Sequence, residues 1–354
     1  MTSLRRYLLL ALAVLAVVVV GVIVALRVLD RPPTGAVNTA AVTGRVILEG
    51  RSRYNGVYVT LDRGDGGFDE TTADGVFVIR NIPLGWHILR MDMPKYLAVE
   101  GRFMASESVT VLGDLKMLAG DAYGDNIIDI LDLALVSRSF GSEPPSDPRA
   151  DINENGMVDI LDLVLVSKNY DREGPTDGQN AALTVIPPTL SSVVRDRPVE
   201  AKRAADANDP TATWTLTPSK QSYAVGEVVT ATLTLDKAAT VYGADIRQAY
   251  NEKQLKPRDA VPGTPQVEAR LGSLFSQGFS PLNRVEKGEL RMAVSQVSDG
   301  VRPASGSLLE VAFEVVGCGE TVFDPTRTLR LTDGKASVIP YHVGKAATLR
   351  TPCP

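Results

Sequence analysis

Apolar and polar residues follow one another along this chain in a changing rhythm, and each rhythm predicts a different kind of element. "YLLLALAVLAVVVVGVIVAL" (7–26) runs without a charge and, at about 1.5 Å per residue, matches the roughly 30 Å hydrocarbon core of a bilayer. It predicts a transmembrane helix behind a short cytoplasmic tip (1–6). A cleaved secretion signal is the alternative, although "RVLDRPP" follows where a small-residue cleavage site belongs. After a spacer (27–41), residues 42–119 alternate in short runs such as "VTGRVIL", "GVYVTL" and "GVFVIRNI", broken by "DRGDGG" and "TADG". Period-two runs between turn residues predict a small antiparallel sandwich. Residues 120–173 mix aspartates with leucine, isoleucine and valine, and 174–213 lose all periodicity and predict a flexible linker. From 214 to 347 the alternation returns in "VVTATLTL", "ELRMAVSQV" and "LLEVAFEVV". A second all-β sandwich is expected there, with 348–354 as a tail. The fold class is mainly β and multidomain, with one small α unit between two sandwiches.

Charge sharpens this division. Residues 120–173 hold twelve acidic and four basic side chains, a net −8 in a chain of net −5. The molecule therefore has no basic surface for a phosphate backbone, and nucleic acid is not an expected partner. Cys318 and Cys353 are the only cysteines. Outside the cytoplasm they can close a disulfide worth ~3 to 4 kcal/mol for a loop of this length; the alternative is two buried thiols.

The acidic stretch says nearly the same thing twice. "DNIIDILDLALVSRSF" (125–140) and "NGMVDILDLVLVSKNY" (155–170) share eight of sixteen residues, and most other pairs are conservative. Counted from its first acid, the second copy reads "DINENGMVDILD", with Asp151, Asn153, Asn155, Met157 (through its carbonyl), Asp159 and Asp162 at positions 1, 3, 5, 7, 9 and 12. Oxygen donors at those positions suit a calcium ion, and Gly156 stands at position 6, where the chain must turn sharply. The first copy, "DAYGDNIIDILD", offers Asp121, Asp125, Ile127 (carbonyl), Asp129 and Asp132. Tyr123 at position 3 brings no such oxygen and Asn126 replaces the glycine, so the first of the two Ca2+ sites is expected to be the weaker. An EF-hand would need a helix leading into each loop, and the prolines of "SEPPSDPRA" before Asp151 forbid one.

Loop then helix, twice, resembles a type I dockerin over 120–172. Each helix is about ten residues, too short to persist alone, so the metal belongs to the fold. Apolar residues surround both helices instead of forming one stripe, which leaves a surface for another protein. The resemblance implies that loop positions 10 and 11, here Ile130, Leu131, Ile160 and Leu161, touch the partner, that the partner offers a greasy patch, and that binding can occur in two orientations.

Two further resemblances complete the layout. "ETTADGVFVIRNIPLGWHILRMDMPKYL" (70–97) resembles the carboxypeptidase regulatory-like, transthyretin-type sandwich, with Asp74-Gly75 expected as a hairpin turn. "YAVGEVVTATLTLDKAATVYGADIRQAYNEKQL" (223–255), followed by "GSLFS", "GELRMAVSQVSDG" and "LLEVAFEVVGCGETVF", resembles a cohesin, the receptor for dockerins, which implies a nine-stranded jelly roll. Alternation along "VYGADIRQ" turns Ala244 and Ile246 one way and Gly243, Asp245 and Arg247 the other; Asp245 and Arg247 are expected at the partner face, where Gly243 replaces the asparagine of well-known cohesins.

The expected function is that of a non-catalytic scaffold at the cell surface. It would gather dockerin-bearing proteins through its cohesin and enter a cohesin, its own or a foreign one, through its dockerin. The setting would be a cellulosome-like assembly for polysaccharide degradation or cell-surface organisation. Catalysis finds no support in two histidines, His87 and His342, placed in different sandwiches, without a GxSxG, HExxH or phosphate loop. The alternative function is carbohydrate binding, for which polysaccharide would be the partner and Trp86 and Trp214 the candidate platforms.

Overall fold

The computed structural model describes residues 39–184, 204–261, 263–297 and 303–353. The tip, the expected membrane span at 7–26 and most of the spacer lie outside the described residues. Among the described residues no helix is long and apolar enough to cross a membrane.

The alternating runs of the first sandwich become β1 (Thr39–Leu48), β2 (Tyr58–Leu61), β3 (Phe68–Glu70), β4 (Val76–Pro83), β5 (Gly85–Asp92), β6 (Lys95–Tyr96), β7 (Val99–Ala105), β8 (Val109–Met117) and β9 (Ala119–Asp121). They form a β4-β1-β8 sheet, a β3-β2-β5-β7 sheet and the β6-β9 pair. On β5 the period of two sends His87, Leu89 and Met91 inward and leaves Trp86 exposed. Asp74-Gly75 does not close a hairpin between paired strands: β3 pairs with β2 and β4 with β1, so this turn carries the chain from one sheet to the other. Gly75, at φ 82°, is forced there because a side chain would strike the Val46 carbonyl.

The acidic repeat follows directly, since β9 ends on Asp121. Its two helices are α1 (Ile130–Ser139) and α2 (Ile160–Lys168). The copies lock together by a twofold exchange of backbone hydrogen bonds. Ile128 donates to the Arg172 carbonyl and accepts from the Asp171 amide, just as Val158 donates to Ser142 and accepts from Gly141. Position 8 of each loop thus pairs with the segment that leaves the other copy's helix.

The repeat is not a free-standing bead beside the sandwich. Val42, Leu89, Tyr96 and Leu118 share one core with Ile128, Leu133, Leu163 and Val166, so the units expected at 42–119 and 120–173 form a single body. Glu49, at the end of β1, clamps it: its carboxylate accepts from Lys168 Nζ (2.6 Å), Asn169 Nδ2 (2.5 Å) and the Ala119 amide (3.3 Å). Burial acts to raise the Glu49 pKa, yet these hydrogen bonds and the nearby Lys116 charge outweigh it and hold the group below its usual value. A depressed folded pKa stabilises above the unfolded value and loses that stabilisation as pH falls through the folded one. The melting temperature is accordingly expected to drop more steeply below pH 4.5 in the native chain than in Glu49→Gln, and parallel pH profiles in thermal melts would refute the clamp.

The expected linker also starts later than its composition suggests. Thr176 bridges Val99, Thr184 bridges Arg102 on β7, and Leu183 is buried against Gly101. Backbone pairing with a sheet edge thus holds residues 176–184, which lack periodicity of their own. Residues 185–203 lie outside the described residues.

The second sandwich comprises β10 (Thr211–Thr217), β11 (Val228–Asp236), β12 (Gly243–Ala249), β13 (Leu255–Arg258), β14 (Arg270–Leu271), β15 (Phe279–Glu286), β16 (Glu289–Ser295), β17 (Ser305–Val315), β18 (Gly319–Phe323), β19 (Leu329–Thr332), β20 (Val338–Ile339), β21 (His342–Val343) and β22 (Ala347–Thr351). One sheet runs β13-β17-β11-β10-β21 with β14 beside β17, the other β15-β16-β12-β19-β20, and β18 pairs β22. The expected nine strands are split into more and shorter ones. Within the expected 348–354 tail, residues 348–353 are held, because β22 pairs with β18 and Cys318 is joined to Cys353 as a disulfide. Trp214 lies in the core against Phe323, which removes it as a carbohydrate platform. Among the described residues all strand pairs of this unit are internal, and its core draws on nothing before Ala212; it is built to fold on its own.

Candidate functional site

The two acidic loops are wrapped in the same way. Asp121 accepts amide hydrogens from Gly124 (2.9 Å), Asp125 (3.1 Å) and Asn126 (3.0 Å), and Asp151 accepts from Asn155 (3.1 Å) and Gly156 (3.0 Å). Each position 1 carboxylate thereby curls its loop around itself. Asn126 takes up position 6 at φ 66° where Gly156 has φ 96°, so asparagine does serve in the left-handed turn. Asp125 and Asn155, at position 5, accept from the amides of Ile127 and Met157. Asp132 accepts from Tyr123 and Asp129, and Asp162 from Ile152, Asn153 and Asp159. Asp129 and Asp159 close the pattern as helix N-caps, each accepting from the amide two residues on at 2.7 Å.

Whether this donor set fits a hard cation is a matter of charge. Among the described residues no three His, Cys, Asp or Glu side chains are gathered closely enough to hold an ion as they stand. Yet Asp121, Asp129, Asp132, Asp151 and Asp162 are all buried. Burial, with Asp125 nearby, pushes Asp121 up to about 6, and burial beside Asp129 pushes Asp132 well above the carboxylate range. Like charges kept this dry are costly unless a cation offsets them. The residues fit calcium, with both loops supplying oxygens only.

The helices are near copies in sequence but differ in surroundings. Nine of the ten residues of α1 are buried against four of nine in α2, because the second sandwich covers α1. Ile130 packs on Gly243 so closely that a Cβ there would come within 3.1 Å of it. Ala336 of the second sandwich is buried in the first body's core, with Phe279 and Val338 packed against it. Around this apolar contact stand charges. Arg330 Nη1 meets Asp129 Oδ2 at 2.5 Å, Arg247 Nη2 meets Asp171 Oδ1 at 2.6 Å, Arg291 pairs with the other Asp171 oxygen, and Arg138 donates to the Gly334 carbonyl at 2.6 Å.

Asp245 sits inside the ring. Burial pushes its carboxyl up to about 6, with Arg247 pulling it down and Asp171 and Asp129 pushing it further up. Burial, reinforced by those three carboxylates, raises Tyr170 well above the phenol range, so it stays protonated and donates to Asp245 Oδ2 at 3.3 Å.

The structure brings together Ile130, Asp245 and Arg247 at this contact and buries Leu131 in the first body's core, while Ile160 and Leu161 stand 52% and 55% exposed elsewhere on the molecule. The greasy patch expected of the partner is in fact an apolar strip ringed by arginines. Sequence reasoning missed Arg291, Arg330, Tyr170 and Asp171. One signal was available: Arg247 faces Arg291 in register across β12 and β16, and like charges directly opposite on a sheet require an acid from elsewhere. The two histidines stay apart. His87 lies between the Asp62 carboxylate and the Pro83 carbonyl, and His342 bonds the Asp206 carbonyl.

Family comparison meets this geometry on both sides of the contact. The Cohesin domain model matches residues 213–343, and the Dockerin type I domain model matches 119–169. The chain carries a type I dockerin and a cohesin. Both are interaction domains without catalytic activity, their role is to bind each other, and type I dockerins generally bind calcium. Similar solved structures include an interface mutant of a type II cohesin–X–dockerin complex from Acetivibrio cellulolyticus (20% identity, 38% of this chain and 97% of that one, TM-score 0.35). A type II cohesin from the cellulosome of that organism (20%, 40% and 95%, 0.35) and a non-cellulosomal cohesin from the archaeon Archaeoglobus fulgidus (17%, 40% and 92%, 0.29) are similar too. No curated protein matches the chain.

Proposed function

We propose that this protein is a non-catalytic adaptor held at the outer face of a membrane by residues 7–26, which assembles partners through calcium-dependent cohesin–dockerin contacts in a polysaccharide-degrading or cell-surface setting. The observation that carries the reading is the seat of α1 on the β15-β16-β12-β19 sheet, where the chain's own dockerin meets its own cohesin through an apolar strip and four charged contacts. The uncharged run at 7–26 supports the anchor, and the Cys318–Cys353 disulfide supports an oxidising, extracytoplasmic location.

Recognition within one chain needs no high intrinsic affinity, because residues 185–203 join the two modules and raise their effective concentration. The test is therefore to sever that connection. A protease site placed within 185–203 of the full chain and then cut should leave the halves eluting together from a sizing column in calcium and apart after chelation. Separation of the halves in calcium would refute own-dockerin recognition.

A further inference from the structure

We propose that Asn155–Gly156, at positions 5 and 6 of the second acidic loop, is a calcium-gated modification site: the asparagine is kept while the ion is bound, and deamidates once the ion leaves. The inference rests on the calcium reading of the loops and goes beyond it, since a lapse of calcium then leaves a covalent, permanent record in the dockerin.

Deamidation needs a backbone amide nitrogen free to reach the side-chain carbonyl of the asparagine before it. Glycine offers the least crowded one, having no Cβ to shield the nitrogen. Asn155 and Gly156 are both exposed, and nothing lies within 4 Å of a Cβ built on Gly156. The other asparagines of the two loops precede larger residues, Asn126 before Ile127 and Asn153 before Glu154, and Asn126 is further pinned by accepting the Ala98 amide at 2.9 Å. In the closed loop two hydrogen bonds block the reaction. The Gly156 amide donates to Asp151 Oδ2 at 3.0 Å, which holds the nitrogen that would attack. Asn155 Oδ1 accepts from the Met157 amide at 3.0 Å, which ties the group that would be attacked to the residue beyond. This clasp depends on Asp151, a buried carboxylate in a loop that also buries Asp162. Without a cation such like charges oppose closure, and local opening of the loop frees the Gly156 nitrogen.

In the opened loop the Gly156 nitrogen gives its proton to solvent and attacks Asn155 Cγ. The new C–N bond closes a succinimide ring, the Cγ–Nδ2 bond breaks, and the side-chain nitrogen leaves as ammonia with a proton taken from solvent. Water then opens the ring, its hydroxyl going to one of the two carbonyl carbons and its remaining proton to the nitrogen. Opening at Cγ leaves aspartate at 155, the residue type that the first loop already carries at position 5 as Asp125. Opening at the main-chain carbonyl carbon leaves isoaspartate, in which the backbone runs through Cβ and Cγ. That adds one backbone atom between the donors at positions 1 and 3 and those at 7, 9 and 12, so the spacing that wraps an ion is lost. The nine-residue α2 loses its metal-bound end with it.

The experiment ages the full chain at neutral pH in calcium and in chelator, and reads conversion of Asn155 and Asn55 by peptide mass spectrometry with isoaspartate resolved. Asn55–Gly56 is the internal control, an exposed asparagine before glycine in the first sandwich and outside both loops, whose Gly56 amide is held by the Thr71 carbonyl. Conversion at Asn155 is expected to run more than about tenfold faster in chelator, with Asn55 changed far less. Calorimetry on the aged chain should find the second calcium ion lost from the isoaspartate form and kept by Asn155→Asp. Equal rates at Asn155 in the two buffers, with fresh chain still binding calcium, overturn the gate and leave the calcium reading standing. Equal acceleration at Asn155 and Asn55 overturns it as well, because the whole body and not the loop would then be opening. Isoaspartate chains that still bind both ions overturn the permanent record, and fresh chain that binds no calcium removes both readings.

Discussion

Arg330→Glu is expected to separate the dockerin from the cohesin by two to three orders of magnitude in dissociation constant, measured between the halves of the cut chain by calorimetry. The reason is burial. Arg330 and Asp129 keep only 18% and 12% of their side chains exposed, and truncating one partner of a buried, hydrogen-bonded charge pair costs ~2 to 5 kcal/mol. The reversal adds repulsion, since the new carboxylate would face Asp129 with Asp245 directly across the strand pair on β12. Arg247→Glu supplies the scale. Its pair with Asp171 is 51% and 32% exposed, and open ion pairs contribute only ~0.2 to 1 kcal/mol, so that variant should lose a few-fold. Equal losses in the two variants would mean that burial does not rank these contacts. Because the Arg330 side chain leaves its own module to meet Asp129, the isolated cohesin should melt at an unchanged temperature in both.

What the sequence made legible follows the range of the forces involved. The two acidic loops were readable because a twelve-residue loop draws its hydrogen-bond partners from its own residues: Asp151, Asn155, Gly156 and Asp162 interact within a dozen positions. Period-two alternation likewise placed Ala244 and Ile246 in the core and Gly243, Asp245 and Arg247 on the face that meets the dockerin. Contacts between distant segments left no local trace. The Glu49 clamp on Lys168 and Asn169 spans more than a hundred residues, and Arg330 finds Asp129 across about two hundred. Residues 176–184 show a third failure, in which the edge of β7 orders a segment whose own composition reads as linker. Repetition also hid an asymmetry. Two nearly identical helices predict two identical environments, and only the tertiary fold decides that α1 is buried along its length while α2 keeps Ile160, Leu161 and Val164 exposed.

Asp162→Ala is expected to dissolve the second calcium loop and the helix that follows it. Asp162 is fully buried and accepts from the amides of Ile152 (2.8 Å), Asn153 (3.2 Å) and Asp159 (2.9 Å). Alanine leaves those donors without their acceptor at ~1 to 3 kcal/mol each and takes a position 12 carboxylate from the ion. A nine-residue helix cannot survive that loss on propensity alone. Its unravelling would pull Leu163 and Val166 out of the core shared with the sandwich, so the damage should reach the melting temperature of the whole N-terminal body. Asp162→Asn separates the two roles of the carboxylate. It keeps one carbonyl oxygen for the amides and surrenders the charge, so it should retain the helical circular dichroism at high calcium and require more calcium to reach it. In Asp162→Ala the first loop alone should still bind calcium, and α1, whose capping aspartates are untouched, should still dock on the cohesin. A variant that binds calcium at both loops with an unaltered melt would show that Asp162 neither ligates the ion nor organises the loop.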